Sequence, residues 1–380
     1  MRVHYLALHE PSGYATSARR WMRALIAAGV EVRWIPLVPG PDWGLGYRPA
    51  SAGELDDPAL RDLLSGPEEC DVVVAHLVPE YWPIVRALWA DVPLVGQTVW
   101  ETDRLPAHWR PLLDSADLVV VPTAGNRELM ERSGVRPPCR VVPHVAAVPR
   151  KVSSSVWRDI PSGAFVAYTI APWTARKALD DVVRAYQTAF PGRDDTLLVI
   201  KTSPRDFTHA GPVGASPIAA GTSASRLAHV LAEFARPAPV RLVTGVLEEG
   251  DLEALHTRGD CYVSLCRSEG WGIPPCDAAA WGNPVVITGF GGQLAYLDAE
   301  SAFLVDYRLV AVDDPAGGGS YTGDQHWAEP SIEHAAALLR RVVAEPAEAR
   351  ARASRARARV LREFSGHAVA GAFLDALAEL

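Results

Sequence analysis

Ser268–Leu297 reads SEGWGIPPCDAAAWGNPVVITGFGGQLAYL. The run just before it, Cys261–Leu265, and the run inside it, Pro284–Thr288, are short and continuously apolar, as in parallel strands covered on both faces. Between them, Pro274–Trp281 predicts a helix. Pro274 and Pro275 suit its first turn, where the N–H that proline lacks has no intrahelical use. Glu269 then falls at the end of a strand. Gly270-Trp271-Gly272 lets the backbone come close to a ligand, because glycine has no Cβ. The exposed N–H groups and dipole of the following helix favour an anion there. Asp277 falls in or near the first turn, and Gly291-Gly292 predicts a second turn over the same edge.

The same alternation extends outward in both directions. Phe165–Ile170, Thr196–Thr202, Val240–Val246 and Ala302–Val305 complete a set of strands, separated by helical stretches at Ala178–Phe190, Ser225–Ala235 and Asp251–Thr257. An earlier set comprises Val3–Leu8, Val30–Leu37, Asp71–His76, Pro93–Val99, Leu118–Val121 and Arg140–Val142. Between its first two members, Ala18, Trp21, Met22, Leu25 and Ala28 recur at helical spacing, with Ser12, Thr16 or Ser17 to cap the start and Gly29 to end it. Two successive β-α-β sets predict an α/β protein of two doubly wound domains, which bind ligands at the carboxyl ends of their strands. Two such sheets facing each other would make a cleft. We expect a first domain over 1–150, a second over 151–360, and a final helix over 361–380 that crosses back to the first, with the join inside Val145–Ser162. Pro204–Ser223 and Asp313–Asp324 read as surface loops, and the Ala/Arg-rich tail from Ile332 as helical.

The 380 residues suit two domains, and 48% apolar residues suffice for two cores. A net charge of -8 argues against nucleic acid as the main partner, since a duplex binder needs a basic face. Five cysteines without a C-x-x-C pair argue against a disulfide scaffold and a zinc site. With no apolar run of signal-peptide or membrane-span length, the chain reads as cytoplasmic. Of 37 basic residues only Lys151, Lys177 and Lys201 are lysine, a bias that high-G+C genomes such as those of actinobacteria produce. It singles out each lysine.

Ser268–Leu297 resembles the donor-binding signature of family-4 glycosyltransferases, E-G-F-G-x-P-x-x-E followed by a small-residue helix, G-x-P-V-V and G-G. The likeness runs along the chain in order: Ser12-Gly13-Tyr14, Trp100–Pro106 with Trp109, Ala116–Thr123, Val141–His144, Arg176-Lys177 and Trp327–Pro330 all resemble segments of that family. The resemblance implies the GT-B fold, two Rossmann-like domains across a cleft. It also implies transfer of a sugar from a nucleoside-diphosphate sugar to an acceptor hydroxyl, with retention of anomeric configuration and no metal or other cofactor. Glu269 would contact the donor sugar, and Asp277, one methylene shorter than the family's glutamate, the ribose. Lys177 would neutralise the donor phosphates beside Arg176, and Gly270, Gly272, Ile273 and Pro274 would meet the diphosphate and sugar. Glu269 and Lys177 are the catalytic candidates.

Two departures stand out. Ala171 occupies a position where many relatives carry a phosphate-binding arginine, and Val99-Trp100-Glu101 replaces a histidine near the acceptor. Lys201, at a strand end, is a further donor-side candidate, and Gly13, His76 and Glu101 are the acceptor-side ones. A compact ammonium suits a phosphate as a point charge. The same architecture also serves nucleotide-sugar epimerases, glycoside phosphorylases and non-catalytic sugar-binding proteins. A dehydrogenase would need G-x-G-x-x-G after a strand, and His9–Thr16 offers one glycine. Peripheral contact with a membrane surface stays open for a lipid acceptor.

Overall fold

Both halves of the chain turn their apolar runs into parallel strands in the computed structural model, which describes residues 1–380 except 42, 44, 52, 56–59, 151, 209–211, 214, 215, 218–220 and 379. The chain divides into two compact units, Met1–Ala146 with Arg362–Leu380, and Ala147–Leu361. Lys151, at the expected boundary, lies outside the described residues.

The first unit is built on a seven-stranded sheet in the order β3-β2-β1-β4-β5-β6-β7. Its strands are β1 (Arg2–Leu8), β2 (Glu31–Pro39), β3 (Tyr47–Pro49), β4 (Val72–His76), β5 (Leu94–Gln97), β6 (Leu118–Val121) and β7 (Cys139–Val141). All pair in parallel except β3, which runs antiparallel to β2. This three-residue edge strand went unforeseen because it contains a proline and has no apolar run. The long helix α1 (Gly13–Ala27) starts where the Ser12 hydroxyl accepts from the Ala15 N–H at 3.3 Å. Its stripe of Ala18, Trp21, Met22 and Leu25 is buried against the sheet, as helical periodicity predicts. Shorter helices α2 (Arg61–Leu64), α3 (Trp82–Leu88), α4 (Trp109–Leu113) and α5 (Ala124–Arg132) complete the connections.

The second unit holds six parallel strands, β8 (Phe165–Ile170), β9 (Thr196–Lys201), β14 (Val240–Val243), β15 (Cys261–Ser264), β16 (Val285–Thr288) and β17 (Phe303–Val305). Their order is β14-β9-β8-β15-β16-β17, the doubly wound order in which the chain first moves to one side of the starting strand and then to the other. Helices α6 (Leu179–Ala189), α7 (Ser223–Leu231), α8 (Glu249–Arg258), α9 (Ile273–Trp281), α10 (Ile332–Ala344) and, up to Leu361, α11 (Pro346–Glu363) belong here. Val182, Tyr186, Leu198, Ile200, Val263 and Leu339 share its core. On α11, Arg357 and Arg359 donate to the carbonyls of Ala280 and Ala295 at 3.1 and 2.8 Å, fastening the helix across the end of α9.

Two elements depart from the sequence reading. Pro204–Ser223, expected as a loop, contains four two-residue strands, β10 (Arg205–Asp206), β11 (Pro212–Val213), β12 (Ser216–Pro217) and β13 (Gly221–Thr222), with β10 pairing antiparallel with β13 and, between them, β11 with β12. The rest of that expected loop, 209–211, 214, 215 and 218–220, lies outside the described residues. The loop Asp313–Asp324 is the connection of an antiparallel hairpin, β18 (Tyr307–Ala311) with β19 (His326–Pro330), in the register Leu309↔Ala328. The last helix, α12 (Gly366–Leu377), packs along α1 in the first unit, with the Trp21 and Phe373 ring centroids 5.3 Å apart. Among the described residues no helix is long and apolar enough to cross a membrane.

Candidate functional site

In the second unit, β8 and β15 are neighbours, yet the chain leaves β8 toward β9 and leaves β15 toward β16. At such a switch point the loops after the two carboxyl ends turn away from each other and leave a crevice. The loop after β8 carries Arg176 and Lys177, and the segment after β15 carries Glu269, which lies 92 residues from Lys177 in sequence. The fold brings the three side chains together. Lys177 Nζ donates to Glu269 Oε1, and Arg176 Nη1 donates to Glu269 Oε2 at 3.2 Å and to the Ser268 carbonyl at 2.8 Å. All three side chains are at most 19% exposed. Burial pushes the Glu269 carboxyl toward neutrality, but Lys177 and Arg176 outweigh that and hold it below the usual carboxylate range. The cluster is therefore a carboxylate between two cations, with one positive charge in excess.

The backbone beyond Glu269 is shaped by glycines. Gly272 caps α9 with φ 86°, and a Cβ there would lie 2.9 Å from the Pro275 ring. Tyr296 donates to the carbonyls of Trp271 and Gly272 at 3.0 and 2.8 Å, fixing the turn from below. Because Pro274 and Pro275 have no N–H, Ile273 is the only one of the first three helical residues able to donate to an anion. The helix thus offers its dipole and one early N–H, fewer than the sequence reading assumed. Gly292 packs on the backbone of Glu269 and Gly270. Its N–H donates to the Glu269 carbonyl at 2.6 Å, and a Cβ would lie 2.0 Å from the Gly270 oxygen. The Gly291-Gly292 turn therefore positions Glu269 from behind.

Asp277 is the fifth residue of α9, close to its first turn as expected, with the helix starting one residue earlier than the sequence reading placed it. It is buried, and its Oδ1 accepts from the Ala147 N–H at 3.3 Å. Lys201 ends β9 directly beside the end of β8, in register with Ile170, and the Ala171 N–H donates to its carbonyl at 3.0 Å. Its ammonium donates to the Thr202 carbonyl at 2.9 Å, and burial lowers its pKa. A cation thus stands on the strand next to Ala171.

Arg267, whose backbone N–H donates to the Arg176 carbonyl at 2.8 Å, was not singled out in the sequence. It is part of no motif, and the only signal was its place two residues before Glu269. Tyr296 was missed likewise, although it lies inside the signature stretch.

In the first unit, β1 and β4 are the neighbours at the switch point. Gly13 is the first residue of α1, and a Cβ there would meet no atom within 4 Å, so the fold itself does not require glycine. His76 ends β4 and is 1% exposed. Its Nδ1 lies 2.6 Å from the Tyr5 hydroxyl, and its ring stacks on His144 at 6.0 Å and packs edge-on to Tyr14 and Trp21. His144 Nδ1 in turn bonds Ser17 at 2.5 Å. Burial drives the His76 pKa far down, with His144 adding to it, and the ring is neutral. Gln97, in register with His76 on β5, is fully buried, and neither end of its amide has a hydrogen-bond partner among the described residues. Glu101 is half-buried in the segment after β5, and its charge helps raise the Tyr14 phenol pKa, which burial mainly sets.

Among the described residues no group of three or more His, Cys, Asp or Glu is arranged to hold a metal ion. No protein-family model matches the chain, and no curated protein matches it. Solved structures do. HepE from Anabaena, in complex with UDP and glucose, is 13% identical with a TM-score of 0.68, and the match covers 100% of both chains. Sucrose-phosphate synthase from Thermosynechococcus elongatus is 16% identical at a TM-score of 0.68, covering 100% of this chain and 98% of that one. The α,α-trehalose 6-phosphate synthase of Burkholderia multivorans is 15% identical at 0.65, covering 99% and 98%. At such identities the likeness is one of fold, and the chain has the GT-B fold with two Rossmann-like units.

Proposed function

We propose that the protein is a glycosyltransferase that moves a sugar from a nucleoside-diphosphate donor to an acceptor hydroxyl. The observation that carries this reading is the Arg176–Lys177–Glu269 cluster at the switch point of the second unit. Its excess positive charge suits a diphosphate, and its carboxylate suits the hydroxyls of a sugar. The proteins of like fold support it: one is complexed with UDP and glucose, and two are sugar-phosphate synthases.

In this reading Lys177 leaves Glu269 to meet the donor phosphates, with Arg176 and Lys201 adding charge. Gly270, Gly272, Ile273 and Pro274 line the diphosphate and sugar, Asp277 holds the ribose, and Glu269 fixes the sugar. The first unit supplies the acceptor side through Gly13, His76 and Glu101. The bond from the anomeric carbon to the phosphate oxygen breaks and one to the acceptor oxygen forms on the same face. The acceptor proton passes to the departing phosphate, so configuration is retained. Developing charge on the leaving group is met by fixed cations, which requires no metal.

Thermal unfolding against UDP, GDP, TDP and ADP tests the donor site. One nucleotide should raise Tm as its concentration passes its Kd, and Lys177→Ala should remove most of that shift. No shift with any of them at millimolar concentration overturns the reading, and an inverted product linkage overturns the stereochemistry.

A further inference from the structure

We propose that Arg267 is a positioning residue that holds the cation loop against the strand end bearing Glu269 and makes the β18–β19 hairpin part of the donor site's geometry; this rests on the donor-site reading above. Arg267 touches neither Lys177 nor Glu269. It acts on the segments that carry them. Its backbone N–H donates to the Arg176 carbonyl at 2.8 Å, and its Nη1 donates to the Ala175 carbonyl. Two consecutive residues of the cation loop are therefore bound by one arginine. The loop is stitched from its own side as well, since the Arg176 guanidinium donates to the Ser268 carbonyl at 2.8 Å.

The other end of Arg267 reaches the hairpin and α6. Nε and Nη2 grip both oxygens of Glu329 at 2.7 and 3.2 Å, and Nη2 also reaches Asp181 at 3.1 Å. The Arg267 carbonyl accepts from the Ala328 N–H at 2.9 Å, and the guanidinium lies 5.8 Å from the Trp327 ring centroid. The side chain is 17% exposed. Burial works against its charge, and Glu329 with Asp181 more than offsets that. Such a planar, four-way grip belongs to arginine, because an ammonium cannot reach all these partners from one atom. The hairpin also touches the loop directly, since Trp327 and Val312 pack on Ala175.

The loop needs holding. Ala178, immediately after Lys177, has φ 48° and is the only non-glycine with positive φ among the described residues. Such backbone persists where its surroundings over-determine it. Arg267 fixes the residues on its N-terminal side, and α6 fixes those after it. Lys177 is thereby kept at the strand end that bears Glu269.

The test is a double-mutant cycle on the full chain, with calorimetric titration of whichever of UDP, GDP, TDP or ADP binds wild type most tightly. Arg267→Met should weaken binding by about tenfold or more, the scale on which a misplaced group acts. In a Lys177→Ala background the same change should weaken it by less than about threefold, since the charge that Arg267 aims is gone. Arg267→Lys should restore little. Should Arg267→Met fail to fold, Glu329→Gln, which releases only the hairpin end, should show a smaller loss with the same non-additivity. Wild-type affinity in Arg267→Met despite a lowered Tm, or equal losses in both backgrounds, overturns the proposal while the donor-site reading stands. A wild type that binds none of the four overturns both.

Discussion

Replacing Glu269 by glutamine keeps the shape of the side chain and one acceptor oxygen but removes the charge between two buried cations. Lys177 and Arg176 are 15% and 19% exposed, so neither can recover full hydration in place. Breaking a buried ion pair from one side costs about 3–5 kcal/mol, and a hydrogen bond to a charged group is worth about 1.5–3 kcal/mol. The glutamine oxygen retains one such bond, and partial exposure softens the remainder, so the expected loss is about 3 kcal/mol. For a unit the size of Ala147–Leu361, this lowers Tm by about 6–12 °C. The sign with pH follows from the lowered carboxyl pKa. A depressed folded pKa contributes stability that is complete above the unfolded value of about 4.3 and is lost as pH falls through the folded value. Urea unfolding of wild type and Glu269→Gln should therefore differ fully at pH 7, and the gap should narrow progressively as pH falls below about 4. The two stranded cations should also make a bound diphosphate stabilise the variant at least as much as wild type. A loss below about 1 kcal/mol, or a gap that persists unchanged to about pH 3, refutes the assignment of Glu269 as the buried counter-ion of this cluster.

Other expectations concern neighbouring features. Ala178→Gly relieves about 1–2 kcal/mol of left-handed strain and loses about 0.4–1 to unfolded-chain entropy, for a net gain of about 0.5–1 kcal/mol by chemical denaturation. Gly292→Ala forces a methyl into the Gly270 backbone and should destabilise the protein by about 3 kcal/mol or more, with nucleotide binding lost in whatever remains folded. Burial lowers His76 well below its ordinary pKa and His144 to about 3, so for both rings the unfolded chain binds protons that the folded one refuses. The first unit should accordingly lose about 2–3 kcal/mol per pH unit as pH falls below about 6, and His144→Gln should roughly halve that slope in stability measurements.

Much of the candidate site was legible as a local pattern of residues. Glu269, the glycines around it and the two prolines lie within seven positions, and Lys177 stands out in a chain that almost always chooses arginine. The strands were legible for a similar reason, since a strand buried on both faces is a short continuous apolar run wherever it falls. The start of the helix carrying Asp277 was misplaced by one residue, because it begins before Pro274 and that start depends on the left-handed turn at Gly272. The hairpin was missed because Tyr307–Ala311 is largely exposed and has no hydrophobic alternation to announce it. The loop reading of Pro204–Ser223 missed its two antiparallel strand pairs because strands of two residues are too short to show any alternation.

The sequence by itself determined that the chain is α/β, that it alternates strand and helix twice over, and which residue types stand at the strand ends. Those features are local: periodicity, caps and glycine turns act over a few residues. Only the tertiary structure decided which strand ends are neighbours. That β8 lies beside β15 puts Lys177 against Glu269, that β1 lies beside β4 puts Tyr5 against His76, and that β19 folds over Arg267 turns an unremarked arginine into the link between four segments. Strand order is set by how the whole set of apolar faces can be covered at once, and no window of sequence contains that sum.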